Sequence, residues 1–331
     1  MTTREPKTAI LDKTERPFSN MNHLSTPLAD CYLKVDDRLL EIIDPSAKLD
    51  RIASGFGFTE GPIWLEQSAT LVFSDVEGSA QYSWSEQDGV SLFRKPSNFA
   101  NGNALDRQGR IVTCEHGTSS VVRLEHDDRI VRTLVSHYDG KELNSPNDIV
   151  VDSKDRIWFT DPTFGRIMAS IGPVRPLHLG FQGVYRLDPD GSLHLVMADF
   201  DQPNGLCFTR DEGQLLVNDT RRGVIRIFDV TGEGKLVNDR IFADVRGTGE
   251  GNPDGMKVDD AGNVYCNGPG GVHVFDPSGI HLGAILTPEK SANFVFGGND
   301  GQTLFIAAST SIYAVRLKAS GGGQVSKTER C

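Results

Sequence analysis

Apolar residues along this chain gather in short runs, each closed off by polar turn residues. Residues 144–162, NSPNDIVVDSKDRIWFTDP, show the pattern most clearly. A polar pair, Asn147-Asp148, leads into an apolar run ending at Asp152; a tight turn follows, then a second run from Ile157 to Thr160. Two β-rich runs joined by turn residues predict a hairpin.

The hairpin recurs. Aligning Asn147 with Asn204 in QPNGLCFTRDEGQLLVND brings turns and second strands into step, and Asp254 in NPDGMKVDDAGNVYCNG fits the same frame. So do Asn101 in ANGNALDRQGRIVTCEHG, Asn293 in ANFVFGGNDGQTLFIAAS and Glu60 in TEGPIWLEQSATLVFSD. The six positions are separated by 41, 46, 57, 50 and 39 residues. A β-rich unit repeating at about this period is the signature of propeller blades with four strands each. The expected fold is therefore all-β, a six-bladed β-propeller.

The first strand of each blade lines the central channel, so these six residues should form a ring near one mouth. All six carry a side-chain oxygen. Asn and Asp at a strand start are ordinary turn residues taken singly; six in one register, one of them Glu, point further. A ring of carboxylate and amide oxygens suits a hard cation, and Ca²⁺ accepts about six to eight oxygens in flexible geometry. Two acids, Glu60 and Asp254, would balance its charge. The chain has no CxxC, no HExxH and no His pair at ligand spacing, so no dedicated zinc or iron motif is present.

Composition narrows the function. With 45 acids against 34 bases, the formal charge of −11 argues against nucleic acid or an anionic membrane as partner. No apolar run is long enough to span a bilayer. Five cysteines lack motif spacing, and Cys114, Cys207 and Cys266 fall inside apolar strands, as buried hydrophobes in a reducing, cytoplasmic setting would. Residues 1–36 read as a flexible arm without a signal-peptide core, residues 37–318 as one propeller domain, and residues 319–331 as a flexible tail. Residues 39–57 carry strand-like runs placed to complete the last blade beside Ser311 to Leu317, which would protect its edge.

Other candidates lie near the same mouth. His116 follows a second strand and could act as a donor or proton carrier on a pocket wall. Trp64 and Trp84 are expected to pack between blades. The longest insertion, from Phe164 to Gly183, is the expected binding loop or lid, where Met168, Arg175 and His178 could face a substrate. Asp219 stands at a loop start equivalent to that of His116. A nucleophilic serine is not expected, since G-x-S-x-G is absent.

The motifs TEGPIW, NSPNDIVVD with FTDPTFG, QPNGLCF, NPDGMKVD and GNVYCNGPGGVHVFDP resemble the gluconolactonase family that includes senescence marker protein (regucalcin) and luciferin-regenerating enzyme. The resemblance covers about residues 50–317. It implies a six-bladed propeller with one divalent metal, whose ligand pattern falls on Glu60, Asn147, Asn204 and Asp254. Ca²⁺ is the implied ion, with Mg²⁺, Mn²⁺ or Zn²⁺ as substitutes. Relatives of the senescence marker type carry an Arg two positions before Asn147; this chain has Ser145, so no arginine clamp is implied. The implied activity is hydrolysis of a sugar or related small lactone. The resemblance suggests Asp254 as the base; it adds nothing for Asn101 and Asn293, which keep pocket or structural roles, and Asn101, His116, Phe164 and Asp219 are the candidate substrate contacts from their places near the mouth, with Asn101 or His116 donating to the developing oxyanion. An organophosphate triester hydrolase and a non-catalytic calcium-binding scaffold are the rival readings.

Overall fold

The computed structural model describes residues 25–27, 30–125, 130–247 and 249–321. Among the described residues six antiparallel sheets follow one another as blades, and a two-stranded ribbon, His137–Tyr138 with Lys141–Glu142, stands between the second and third. The first blade runs from Thr59–Leu65 through Gly89–Arg94, the second from Ala100–Leu105 through Val131–Val135, and the third from Ile149–Val151 through Leu193–Phe200. The fourth spans Pro203–Phe208 to Leu236–Asp244, the fifth Met256–Val258 to His281–Leu286, and the sixth begins with Ser291–Gly297, Thr303–Ala308 and Ser311–Arg316.

The sixth blade is completed from the other end of the chain. Lys48–Ser54 pairs antiparallel with Ser311–Arg316, as the strand-like run before Glu60 predicted. Ser25–Pro27 adds outside it, and Tyr32–Lys34 adds to the outer strand of the fifth blade. The N-terminal segment thus clasps two neighbouring blades and covers their hydrogen-bonding edges. Of the arm expected over residues 1–36, residues 1–24 and 28–29 lie outside the described residues. Of the tail expected from residue 319, residues 322–331 do too; Gly321 bridges to Asp259.

Second strands read as continuous apolar runs because both faces of every blade are covered by a neighbour. Leu71 and Phe73 pack toward the sixth blade against Phe305 and Ile312, while Val72 between them packs toward the second against Ile111. Leu216 faces the fifth blade, and Leu215 and Val217 face the third. Six apolar clusters among the described residues occupy the six spaces between blades. Trp64 stacks on Phe305 with ring centroids 5.1 Å apart, and Trp84 meets the same ring, which is the expected inter-blade packing. Cys114, Cys207 and Cys266 are buried free thiols in these clusters. No helix of the described residues is long and apolar enough to cross a membrane.

Candidate active site

Four of the six ring residues precede a glycine: Glu60-Gly61, Asn101-Gly102, Asn204-Gly205 and Asp254-Gly255. First strands converge on the axis, so each glycine lies against the next blade's ring residue. A Cβ on Gly61 would stand 2.1 Å from the Asn101 carbonyl oxygen, and one on Gly205 2.0 Å from that of Asp254. Only hydrogen fits there. The Gly102 N–H donates to the Asn147 carbonyl at 2.9 Å, and the Gly255 N–H to that of Ala292 at 2.8 Å. Four of the six junctions of the ring are thus made through the backbone, and Asn293 reaches Glu60 through its side chain. Glu60, Asn101, Asn147, Asn204 and Asn293 are buried and Asp254 is half-buried.

Neighbouring donors orient the polar ends. Glu60 Oε2 accepts from the Gly61 N–H at 2.7 Å and from Asn293 Nδ2 at 3.0 Å. Asn204 Nδ2 donates to Thr220 Oγ1 at 3.1 Å, and that hydroxyl donates to the Pro253 carbonyl at 2.8 Å. Asn204 Oδ1 is left buried without a partner. Asn218 Nδ2 donates to the Asp254 backbone carbonyl.

The carboxylates oppose one another. Burial, then the charge of Asp148, raises the proton affinity of Glu60 above the ordinary carboxylate range. Burial, then the charge of Glu60, raises that of Asp254 further, with Lys290 opposing. Asp148 is buried, its Oδ2 has no partner, and burial raises it against the pull of Lys257. The sequence reading passed over Asp148, Lys257, Lys290 and Thr220. Asp148 had a legible signal: it occupies the position after a ring residue where four blades carry glycine. Thr220 had one too, beside Asp219 at a polar loop start near the same mouth; the two lysines reach the site through folding and had none.

These donors fit a hard divalent cation. They are oxygens alone, one is a buried amide oxygen without a partner, and the acids carry a mutual repulsion, only partly offset by Lys257 and Lys290, that a cation would relieve. Among the described residues no group of three or more His, Cys, Asp or Glu side chains converges on a metal position. The expected set holds two acids and two amides.

The remaining predicted site residues are placed differently. His116 is fully buried; its Nδ1 lies 3.0 Å from the Ile171 carbonyl and its Nε2 3.1 Å from Asn101 Nδ2. Burial lowers its pKa to about 4, so the ring is neutral at pH 7. A carbonyl can only accept, which puts the ring proton on Nδ1 and makes Nε2 an acceptor. His116 therefore has no donor left for an oxyanion, and Asn101 Nδ2 is engaged by the ring. The expected donor role of His116 is corrected by this geometry, while one N–H of the Asn101 amide is still free of the ring. Asp219 is fully buried and accepts from the backbone N–H groups of Asp201 at 2.8 Å and Arg222 at 3.1 Å. Asp75 does the same for Gly57 and Phe58, and Asp161 for Asn144. These acids brace the loops entering the first strands of the first, third and fourth blades, which removes Asp219 from the substrate contacts. Phe164 is half-exposed at the start of a short helix, Phe164–Ile167, packed over His116.

The loop from Phe164 onward is pinned. Arg166, with a fully buried side chain, donates to the carbonyls of Leu143, Asn144 and Pro176 and to Glu142 Oε2, at 2.6 to 2.8 Å. Arg175 donates to the carbonyls of His116 and Gly117 and to Ser119 Oγ. The loop is a tethered wall against His116. Met168 is exposed on its surface.

A model of the SMP-30/gluconolactonase/LRE-like region matches residues 58–310. A gluconolactonase of Zymomonas mobilis is 32% identical over 309 residues, covering 87% of this chain and 86% of that protein. The solved structure of XC5397 from Xanthomonas campestris, described as a gluconolactonase, superposes with a TM-score of 0.82 at 38% identity, over 89% of this chain and 97% of that one. A diisopropyl-fluorophosphatase of Loligo vulgaris is 29% identical over 147 residues, 43% of this chain and 46% of that protein.

Proposed function

This chain belongs to the SMP-30/gluconolactonase/LRE-like family, and from that premise we propose that it is a lactone hydrolase acting on a sugar or related small lactone with the help of a divalent cation, Ca²⁺ foremost. The observation that carries this reading is the unpartnered Oδ1 of Asn204 set among Glu60, Asp254 and Asp148, whose charges oppose one another. Glu60, Asn147, Asn204 and Asp254 would hold the ion. Bound there, it would supply Lewis acidity to polarise a lactone carbonyl.

The chain's own residues do the rest. Asp254 takes the proton of the attacking water; its affinity for a proton is raised by burial and by Glu60, which suits a base, and such help is worth about 10²–10⁴-fold. Gly61 and Asn293 hold one oxygen of Glu60, so the carboxylate keeps one orientation through the cycle. Lys290 offsets part of the negative charge at Asp254. The buried free thiols are in keeping with a reducing, cytoplasmic setting.

The test is pH-stat proton release over a panel of sugar and aliphatic lactones, before and after chelation and with Ca²⁺ restored. Activity lost to the chelator and recovered with Ca²⁺ is expected, as is Ca²⁺ binding by calorimetry. Turnover should vanish in Asp254→Asn with the fold intact; a fully active variant would overturn the assignment. The fluorophosphatase relative favours a second reading. A folded, Ca²⁺-loaded protein that ignores every lactone but hydrolyses a fluorophosphonate would establish that one instead.

A further inference from the structure

A single hydroxyl stands between two of the ring residues. The second strand of the fourth blade, Gln214–Asp219, ends on the buried brace Asp219, and Thr220 follows it, in the place His116 holds after the second strand of the second blade. The Thr220 hydroxyl has one proton to give. The Pro253 carbonyl, 2.8 Å away on a buried residue, can only accept and takes it. The hydroxyl oxygen then offers lone pairs alone, and only the NH₂ end of the Asn204 amide can face it, at 3.1 Å. The second hydrogen of that NH₂ lies toward the Asp254 carboxylate. Turned over, the amide would set its oxygen against two acceptors. Asn204 Oδ1 therefore points away from both, and it is buried without a partner.

We propose that Thr220 is a positioning residue for the cation site: its hydroxyl ties the Asn204 amide to the Pro253-Asp254 backbone and fixes Asn204 with its oxygen toward the ion. This rests on the reading above in which Asn204 and Asp254 help to hold a divalent cation. Thr220 acts through Asn204, by removing the cost of turning the amide when the ion arrives. Its own place is secured from two sides. The Thr220 N–H donates to the Gln202 carbonyl at 3.0 Å, and the buried Gln202 amide is clamped to Thr163 by two bonds of 2.9 Å. Two residues earlier on the same strand, Asn218 Nδ2 donates to the Asp254 carbonyl. Consecutive carbonyls at 253 and 254 are thus gripped by side chains on either side of the brace Asp219.

The experiment titrates Ca²⁺ calorimetrically into the full chain as wild type, Thr220→Val, Thr220→Ser, Asn204→Asp and the double variant Asn204→Asp with Thr220→Val. Melting temperatures in chelator report the fold apart from the ion. Val keeps the shape without the hydroxyl, and Ser keeps the hydroxyl. Thr220→Val should weaken Ca²⁺ binding about tenfold, and Thr220→Ser should restore it. A carboxylate has no wrong end to present, so in the Asn204→Asp background the Val substitution should cost less than about twofold. Unchanged affinity in Thr220→Val would overturn the proposal, even with a lowered melting temperature, because Thr220 would then serve stability alone. A full loss in the Asn204→Asp background would overturn it too, by showing that the hydroxyl does not act through the amide. Neutron diffraction from the deuterated wild type should find the Thr220 deuteron on the line to the Pro253 carbonyl. A deuteron aimed at Asn204 would sink the orientation argument whatever the affinities. If the wild type binds no Ca²⁺, the cation reading itself falls and takes this role with it, while the neutron map still decides which way Asn204 points.

Discussion

Replacing Arg166 by Met tests whether the loop over His116 is held by one buried side chain. The apolar stem keeps most of its volume, and the guanidinium's four hydrogen bonds disappear. The Asn144 carbonyl keeps a donor in Ser119 Oγ. The buried carbonyl of Leu143 loses its donor, at a cost of about 1–3 kcal/mol, whereas that of Pro176, on an exposed residue, can turn to water. Glu142 has a side chain 34% exposed and can be solvated, so its lost ion pair adds at most about 1 kcal/mol. The sum is about 1–4 kcal/mol, which for a domain of this size lowers the melting temperature by roughly 2–6 °C. Equilibrium urea unfolding at pH 7 measures it, with an unchanged m-value showing that the denatured state is the same. The unfolding midpoint should drop, and protection of loop amides in hydrogen exchange should drop more. A loss below about 1 kcal/mol, with the loop amides still protected, would refute the reasoning, because the buried Leu143 carbonyl would then have found another partner.

Further outcomes are expected from the same structure. His116 stays neutral in the folded protein down to about pH 4, whereas in the unfolded chain it takes a proton near pH 6.5, so its contribution is lost as pH falls through that window. Between pH 7 and pH 4 the wild type should lose about 3 kcal/mol more stability than His116→Gln, read from urea midpoints. Glu60 and Asp254 have the opposite sign: their raised proton affinity costs stability as pH rises. Added Ca²⁺ should therefore raise the melting temperature at pH 7, and the increment should shrink toward pH 4; an increment that grows on acidification would count against these acids as the ion's ligands. Gly165→Ala should push the loop off His116 and cut turnover, visible as a changed His116 NMR signal. Deleting residues 1–36 removes the strand on the fifth blade and should lower the melting temperature and promote self-association through the bare His281–Leu286 edge.

The fold was legible because a propeller repeats one solution. The register of Glu60, Asn101, Asn147, Asn204, Asp254 and Asn293 carried blade number, strand order and the ring at once, since every first strand meets the same axis. The closing strand at Lys48–Ser54 was legible for a related reason: a circular sheet array must join its ends, and this stretch preceded the first blade. The second clasp, Tyr32–Lys34 on the fifth blade, escaped notice because a three-residue edge strand has no period to detect.

The substrate side of the site divides along the same line. Which residues stand in the ring follows from spacing along the chain, because local hairpins repeat and the axis is common to all of them. Which way each polar end points does not, because that is set by partners distant in sequence. Asn293 reaches Glu60 across 233 positions, and Ile171 sets the proton on His116 across 55. Asp219 and His116 looked equivalent as loop starts, yet one is held by backbone N–H groups as a brace and the other is locked as an acceptor. Hydrogen-bond direction is a property of pairs, and here the pairs exist only once the blades have closed around the channel.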